Sequence, residues 1–286
     1  MPAITLVTGA TGTVGREVVR GLLAQGVSVR AGARTGRQLV HLGPIDCCVL
    51  DLDRPQTAAR ALEGVQRVFF LSPLNEQMVD VGCQFVEQAT AAGVEHIVRL
   101  SALGAGSCPA TQLALVHRAV EEAIETSGLH YTFLRPNAFM QNYVNAFGGS
   151  IRSKGLFEMP QGRGAVSLVD VRDIAAVAVV ALMDLCHRGR SYELTGPEPL
   201  SNDDVAEILS EVTHRPIRYV DISERQARDA LLGQGMPVWL VEVLLELYAI
   251  SRAGMAASIS SAVQELLGRP PIHFRQFAAD YAEQFR

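Results

Sequence analysis

Gly9, Gly12 and Gly15 stand three residues apart in ITLVTGATGTVGREVVRGLLAQG, after the apolar run Ile4 to Val7 and before a segment that carries Val18, Val19, Leu22 and Leu23 on one helical face. A glycine-rich turn from strand into helix leaves the amides of the first helical turn free. Together with the helix dipole they favour an anion such as a diphosphate. In this reading Gly9 allows the tight exit from the strand, Gly12 lets backbone meet phosphate, and Gly15 lets the helix lie close to the sheet. Thr11 and Thr13 add hydroxyl donors, with Val14 in the same turn. The spacing is G-x-x-G-x-x-G, whereas the usual dinucleotide fingerprint is G-x-G-x-x-G. The plainer reading of such a turn is a tight strand-to-helix connection without ligand.

The residues beyond the turn support a ligand and narrow its type. A dinucleotide site that takes NAD places an acidic residue at the end of the second strand, about 20 residues on, to bind the ribose diol. Between Glu17 and Asp46 there is none; VRAGARTGR instead offers Arg34, with Arg37 and Arg30 nearby. A guanidinium grips a ribose 2′-phosphate with paired charge-assisted hydrogen bonds, so the expected cofactor is NADP(H). Asp51 and Leu52, at the end of the third strand, are placed to contact adenine. Leu71, Ser72 and Pro73 end the fourth, near the middle of the cofactor. Each of these also reads as an ordinary turn residue.

The elements needed to position these groups are visible as an alternation. Strands are expected at Ile4–Val7, Val27–Ala31, Cys47–Leu52, Arg67–Leu71, Ile97–Leu100 and Tyr131–Leu134, with helices at Arg16–Ala24, Thr57–Leu62, Met78–Ala92 and Leu113–Thr126. Continuous apolar strands separated by amphipathic helices imply an α/β fold, a doubly wound parallel sheet of the Rossmann type. Beyond Asn137 the rhythm loosens. A helix is expected at Ala138–Phe147, extended pieces at Leu156–Met159 and Ala165–Val169, a helix at Ile174–Met183 and the strand-like Ser191–Gly196. The expected organisation is a cofactor-binding domain over 1–195, with excursions around 148–165, and a smaller, mostly helical substrate domain over 196–286 that caps the carboxyl edge of the sheet.

Composition bounds the rest. A chain of 286 residues with 19% charged residues is an ordinary globular protein. A net charge of −5 without a basic run leaves no footprint for nucleic acid or an anionic membrane. The longest apolar run, Ile174 to Met183, is shorter than a membrane span, and no signal-peptide pattern opens the chain. A cytoplasmic protein, monomeric or homodimeric and acting on small molecules, is expected. Cys47, Cys48, Cys83, Cys108 and Cys186 lack C-x-x-C spacing and read as reduced packing residues, and with scattered histidines no metal is expected. Lys154 is the only lysine among 25 Lys and Arg residues.

The stretches TGATGTVG, VRLSALGA (Val98–Ala105), HRAVEEAIETSGLHYTFLRPNAFMQN (His117–Asn142) and SLVDVRDIAAV (Ser167–Val177) resemble the NmrA-like group of atypical short-chain dehydrogenases, which includes quinone, triphenylmethane dye and azo-dye reductases. The likeness extends to about Gly196. Ordinary short-chain dehydrogenases carry a Tyr-x-x-x-Lys pair on the helix before the TFLRP-like strand. Matching that helix through Glu121 places Leu113 at the tyrosine and His117 at the lysine, and Lys154 lies outside the helix. Loss of the proton donor would cost about 10² to 10⁴ in rate where acid help is needed, and far less for quinones, cationic dyes, iminium ions and polarised enones.

The resemblance therefore implies an NADPH-dependent oxidoreductase of secondary metabolism acting on an aromatic or conjugated, quinone-like, dye-like or iminium small molecule. His117 is a candidate acid or ribose ligand, Ser101 falls where the family's active-site serine does, and Pro136 is expected near the nicotinamide. Asn137, Phe139, Met140 and Tyr143 would form the substrate wall, with Trp239 in a lid or a core helix. The competing reading is a non-catalytic NADP(H)-binding redox sensor acting through a protein partner, and an NAD-holding epimerase is a third.

Overall fold

The computed structural model describes residues 3–39, 45–107 and 111–286. Their chain contacts divide it into two compact units, 1–135 with 174–193 and 136–173 with 194–286. The segment that leaves the first unit is thus 136–173, longer at both ends than the expected 148–165, and the final division falls at 193/194 beside the expected 195.

The first unit runs β1 (Ile4–Val7), α1 (Thr13–Ala24), β2 (Ser28–Ala33), α2 (Gly36–Leu39), β3 (Asp46–Val49), α3 (Pro55–Ala61), β4 (Val65–Phe70), α4 (Met78–Ala91), β5 (His96–Leu100), α5 (Gln112–Thr126) and β6 (His130–Pro136). The second unit begins with α6 (Gln141–Asn145), α7 (Gly148–Lys154) and β7 (Leu156–Met159); α8 (Val171–Met183) and β8 (Arg190–Leu194) then return to the sheet. The strand order is β3-β2-β1-β4-β5-β6-β8. The pairs from β3 through β6 are parallel, with Leu6 opposite Arg30 on one side and Val68 on the other. Strand order reverses between β1 and β4, the switch point outside whose carboxyl ends ligands of such sheets bind. Leu6, Val68, Phe70, Ile97 and Phe133 pack with Phe85, Val120 and Ile124 into a buried core. Gly21 of α1 lets α8 approach, since a Cβ there would meet the Val179 side chain at 2.8 Å.

The third strand stops at Val49 rather than Leu52. The Thr57 hydroxyl takes the N–H of Asp51 and donates to its carbonyl at 2.9 and 2.8 Å, which turns the chain. Cys47 and Cys186 are exposed and so do not pack as expected, Cys48 and Cys83 are part-buried, and Cys108 lies outside the described residues.

The second unit continues with α9 (Asn202–Thr213), β9 (Arg218–Asp221), α10 (Glu224–Gly233), α11 (Val238–Arg252), α12 (Ala262–Leu267) and α13 (Phe274–Asp280). β7 pairs with β9 in parallel, Phe157 opposite Tyr219. The expected helix over 138–147 is shorter. Ala138 accepts from Val169 N–H and Met140 N–H donates to Val169, both at 3.0 Å, so the chain pairs as an extended strap before α6 begins. No helix among the described residues is long and apolar enough to cross a membrane.

Candidate cofactor and active site

The glycine turn is built from its own backbone. Gly9 holds φ +59, a region an L side chain rarely enters, and its carbonyl accepts the Gly12 N–H at 2.9 Å. A Cβ on Gly15 would lie 2.2 Å from that carbonyl oxygen. Gly15 therefore seats the helix on its own entry turn. Gly12 is the N-cap of α1 in extended geometry, no side chain caps the helix, and no acidic residue occupies its first turn. Uncapped amides without a competing carboxylate fit a phosphate. Thr13 and Gly12 are exposed, Thr11 is part-buried, and Val14 faces the core. Across the switch point Thr8 Oγ1 donates to the Leu71 carbonyl and accepts its N–H, at 2.8 and 2.7 Å, and the Leu71 side chain lies against Gly9.

Arg34, just past β2, and Arg37, on α2, are both exposed, and Arg34 makes no ion pair among the described residues. Arg30 is already committed: its Nε donates to Asp46 at 2.8 Å and its Nη1 to the carbonyls of Ala61 and Glu63. Asp51 sits in the turn beyond β3, and Leu52 packs partly against the core.

At the carboxyl ends of β4 and β5 the structure gathers a polar group that sequence reasoning saw only in part. Arg99 on β5 is wholly buried. Its Nη2 donates to Ser72 Oγ at 3.1 Å and its guanidinium lies 4.8 Å from the Phe70 ring centre. Its Nε and Nη1, together with Ser101 Oγ and His117 Nδ1, are buried without a hydrogen-bond partner among the described residues. The nearby acid, Glu121 on α5, is occupied: Arg135 donates to both its oxygens at 3.0 and 2.6 Å, and Arg118 donates at 3.2 Å. Burial pulls the Arg99 guanidinium down to about 10, which leaves it charged at neutral pH. Burial first, then Arg99, holds His117 well below its ordinary value, so its imidazole is neutral at pH 7. The only sequence signal for Arg99 is an arginine inside the apolar run HIVRL.

In the second unit Pro136 is buried. Two members of the expected substrate wall, Met140 and Tyr143, lie in the core. Met140 is buried among apolar neighbours. Tyr143 is buried too; its hydroxyl donates to Asn202 Oδ1 at 2.7 Å and its ring packs edge-on against Phe157 and Phe274. Asn137 Nδ2 donates to Ser167 Oγ and the Ala256 carbonyl at 2.8 and 2.9 Å, and Oδ1 accepts from Ala138 N–H, so the side chain ties segments together. Phe139 and Trp239 are part-exposed.

Residues 9–184 match the sequence model of a family described as NAD(P)H-binding, a match that starts at the first glycine of the turn. The chain belongs to this family. Within it, the protein is 38% identical to the NAD(P)H azoreductase of Xenophilus azovorans over 98% of both chains. Its fold is similar to that of Citrobacter sp. triphenylmethane reductase complexed with NADP(H), with a TM-score of 0.85, 27% identity and coverage of 97% of this chain and 99% of that one. It is equally similar to the NADPH-dependent quinone oxidoreductase of Escherichia coli complexed with NADPH, with a TM-score of 0.86, 26% identity and coverage of 96% and 99%. As a member of the family this chain binds NAD(P)H through an α/β fold.

Proposed function

We propose that the protein is an NADPH-dependent reductase that passes hydride to a conjugated, quinone-like, dye-like or iminium acceptor without a Tyr-Lys acid pair. The observation that supports this reading is a glycine turn with uncapped helix amides, together with a helix α5 that lacks the Tyr-Lys pair. α5 presents Leu113 and a neutral His117 where a tyrosine and a lysine would drive carbonyl reduction. The relatives named for azo dyes, triphenylmethane dyes and quinones support the acceptor class. NADPH, when bound, supplies the hydride; the chain supplies anchorage at Gly9–Gly15, orientation by Ser72 and His117, and a buried positive charge at Arg99. An acceptor that delocalises the incoming electrons needs no proton from the protein at that moment.

The test monitors NADPH absorbance with a panel of quinones, cationic dyes, azo dyes and enones. Turnover is expected with at least one of these classes. Cofactor binding without turnover anywhere would overturn the reading in favour of a non-catalytic NADP(H) binder.

Cofactor preference gives a sharper check. Arg34 is exposed at the end of β2, and a charge-assisted hydrogen bond to a phosphate is worth about 1.5–3 kcal/mol. Arg34→Ser is therefore expected to lower kcat/KM for NADPH about 10- to 100-fold and to leave that for NADH nearly unchanged. An equal loss with both cofactors would place the 2′-phosphate elsewhere.

The state of His117 fixes a pH profile. Its folded-state value lies below the ordinary one near 6.5, so protonation in acid favours the unfolded chain and the folded protein keeps a neutral imidazole above that range. No imidazole titration should then appear in kcat/KM between about pH 6.5 and 8. His117→Gln should keep the same flat profile at a reduced level. A step near pH 7 that disappears in the variant would make His117 the proton donor after all.

A further inference from the structure

The turn between α8 and β8, Asp184-Leu185-Cys186-His187, concentrates three metal-ligating side chains in four residues, and their ligand atoms all lie within 4.8 Å of one another. We propose that this turn is a binding site for a thiophilic divalent transition ion, Zn²⁺ or Co²⁺, held by the Asp184 carboxylate, the Cys186 sulfur and a His187 ring nitrogen with water as the fourth ligand.

The local structure already holds the three groups in one place. Asp184 Oδ1 accepts the Cys186 backbone N–H at 2.9 Å and caps the short helical turn. The Cys186 Sγ lies within 4.8 Å of the same carboxylate, so one ion could take both, displacing the thiol proton. His187 is pinned from behind. Its carbonyl accepts from the Thr132 hydroxyl of β6 at 2.8 Å, and its Nδ1 lies 2.9 Å from the Tyr192 hydroxyl of β8. With the proton on Nδ1 donated to Tyr192, Nε2 carries the free lone pair, the arrangement in which an outer hydrogen bond orients a metal-bound imidazole. Gly189, at φ +71, closes the turn and donates to the Tyr131 carbonyl at 2.7 Å.

Asp184 and Cys186 are exposed, so an ion reaches them from solvent, while buried His187 gives the site a fixed wall. A thiolate and an imidazole select Zn²⁺ or Co²⁺ over Mg²⁺ and Ca²⁺. Carboxylate and thiolate together neutralise a divalent charge, and Arg188, the nearest cation in sequence, leans towards Glu95 at 3.8 Å. Because the ligands are local in sequence, binding orders few further residues.

Co²⁺ is the probe: it is titrated into chelator-treated full-length protein under reducing conditions, and a thiolate-to-cobalt charge-transfer band is read together with the melting temperature. One equivalent is expected to give the band, Zn²⁺ should bleach it, and bound metal should raise the melting temperature with its concentration. Cys186→Ser should abolish the band. Asp184→Asn and Tyr192→Phe, which keep the thiol, should each weaken Co²⁺ binding about 10- to 100-fold, with NADPH affinity within twofold of wild type in all three. Absence of a band at millimolar Co²⁺, or an undiminished band in Cys186→Ser that assigns it to another thiol such as exposed Cys47, would overturn the site.

Discussion

Gly15→Ala is expected to remove NADPH binding almost completely, raising the Kd at least about 100-fold, or roughly 2.7 kcal/mol. The methyl group would stand 2.2 Å from the Gly9 carbonyl oxygen, 2.8 Å from its carbon and 3.0 Å from Ala10 Cα. All three are backbone atoms, so no rotamer relieves the clash and the first turn of α1 must swing away from Gly9. That movement displaces the amides offered to phosphate and breaks the Gly12 N–H bond to Gly9 on which the turn is wound. Gly12→Ala should be milder, because its methyl would meet only the Gly9 oxygen, at 3.2 Å. Titration of NADPH fluorescence against both variants, with circular dichroism to show that the sheet is intact, reads the ranking. A folded Gly15→Ala protein with wild-type affinity would mean that cofactor is anchored away from this turn.

The turn was legible in sequence because its geometry is local: three glycines at fixed offsets, an apolar run before and an amphipathic helix after, with β1 and α1 falling at Ile4–Val7 and Thr13–Ala24. The role of Gly15 was less so, since packing against Gly9 and packing against the sheet leave the same residue type. The parallel sheet was legible for a similar reason, its inner strands β1, β4 and β5 being largely buried and therefore nearly continuously apolar. The packing of residues 135–143 was not. RPNAFMQNY carries the same aromatic and methionine content whether it lines a cavity or fills a core, and what decides is long-range: Asn137 reaches Ala256, Tyr143 reaches Asn202 and Phe274, and residues 138–140 pair with Val169 before any helix starts. The same limit hid the length of the 136–173 excursion, because its strap and β7 find their partners at Val169 and β9 rather than in their neighbours. Arg30 and Arg34 look alike in VRAGARTGR. Only the fold shows that Asp46 takes the first and leaves the second exposed.

Arg99→Met should make the protein more stable and less active at once. A wholly buried guanidinium with two nitrogens unpartnered among the described residues carries a desolvation cost that one bond to Ser72 and a place over Phe70 do not offset. Methionine fills similar volume without charge, and Glu121 keeps Arg118 and Arg135, so the substitution leaves no new orphaned ion. Replacing such a group by an apolar one stabilises by about 1–4 kcal/mol, or several degrees in melting temperature for a chain of this size. Such a cost persists where the ligand-bound state returns it. Arg99 and Ser101, at the carboxyl end of β5 where ligands of such sheets bind, and His117 on α5 are unsatisfied among the described residues. In the proposed reaction Arg99 would act as a positioning residue: it orients Ser72, adds to burial in keeping His117 neutral, and would favour hydride transfer to a quinone-like acceptor, on which negative charge builds. The variant should therefore lose about 10²-fold in kcat/KM, and NADPH should raise its melting temperature by less than it raises that of the wild type. A variant that melts earlier yet turns over normally would make Arg99 a packing residue, and the charge beneath the site would then have no part in hydride transfer.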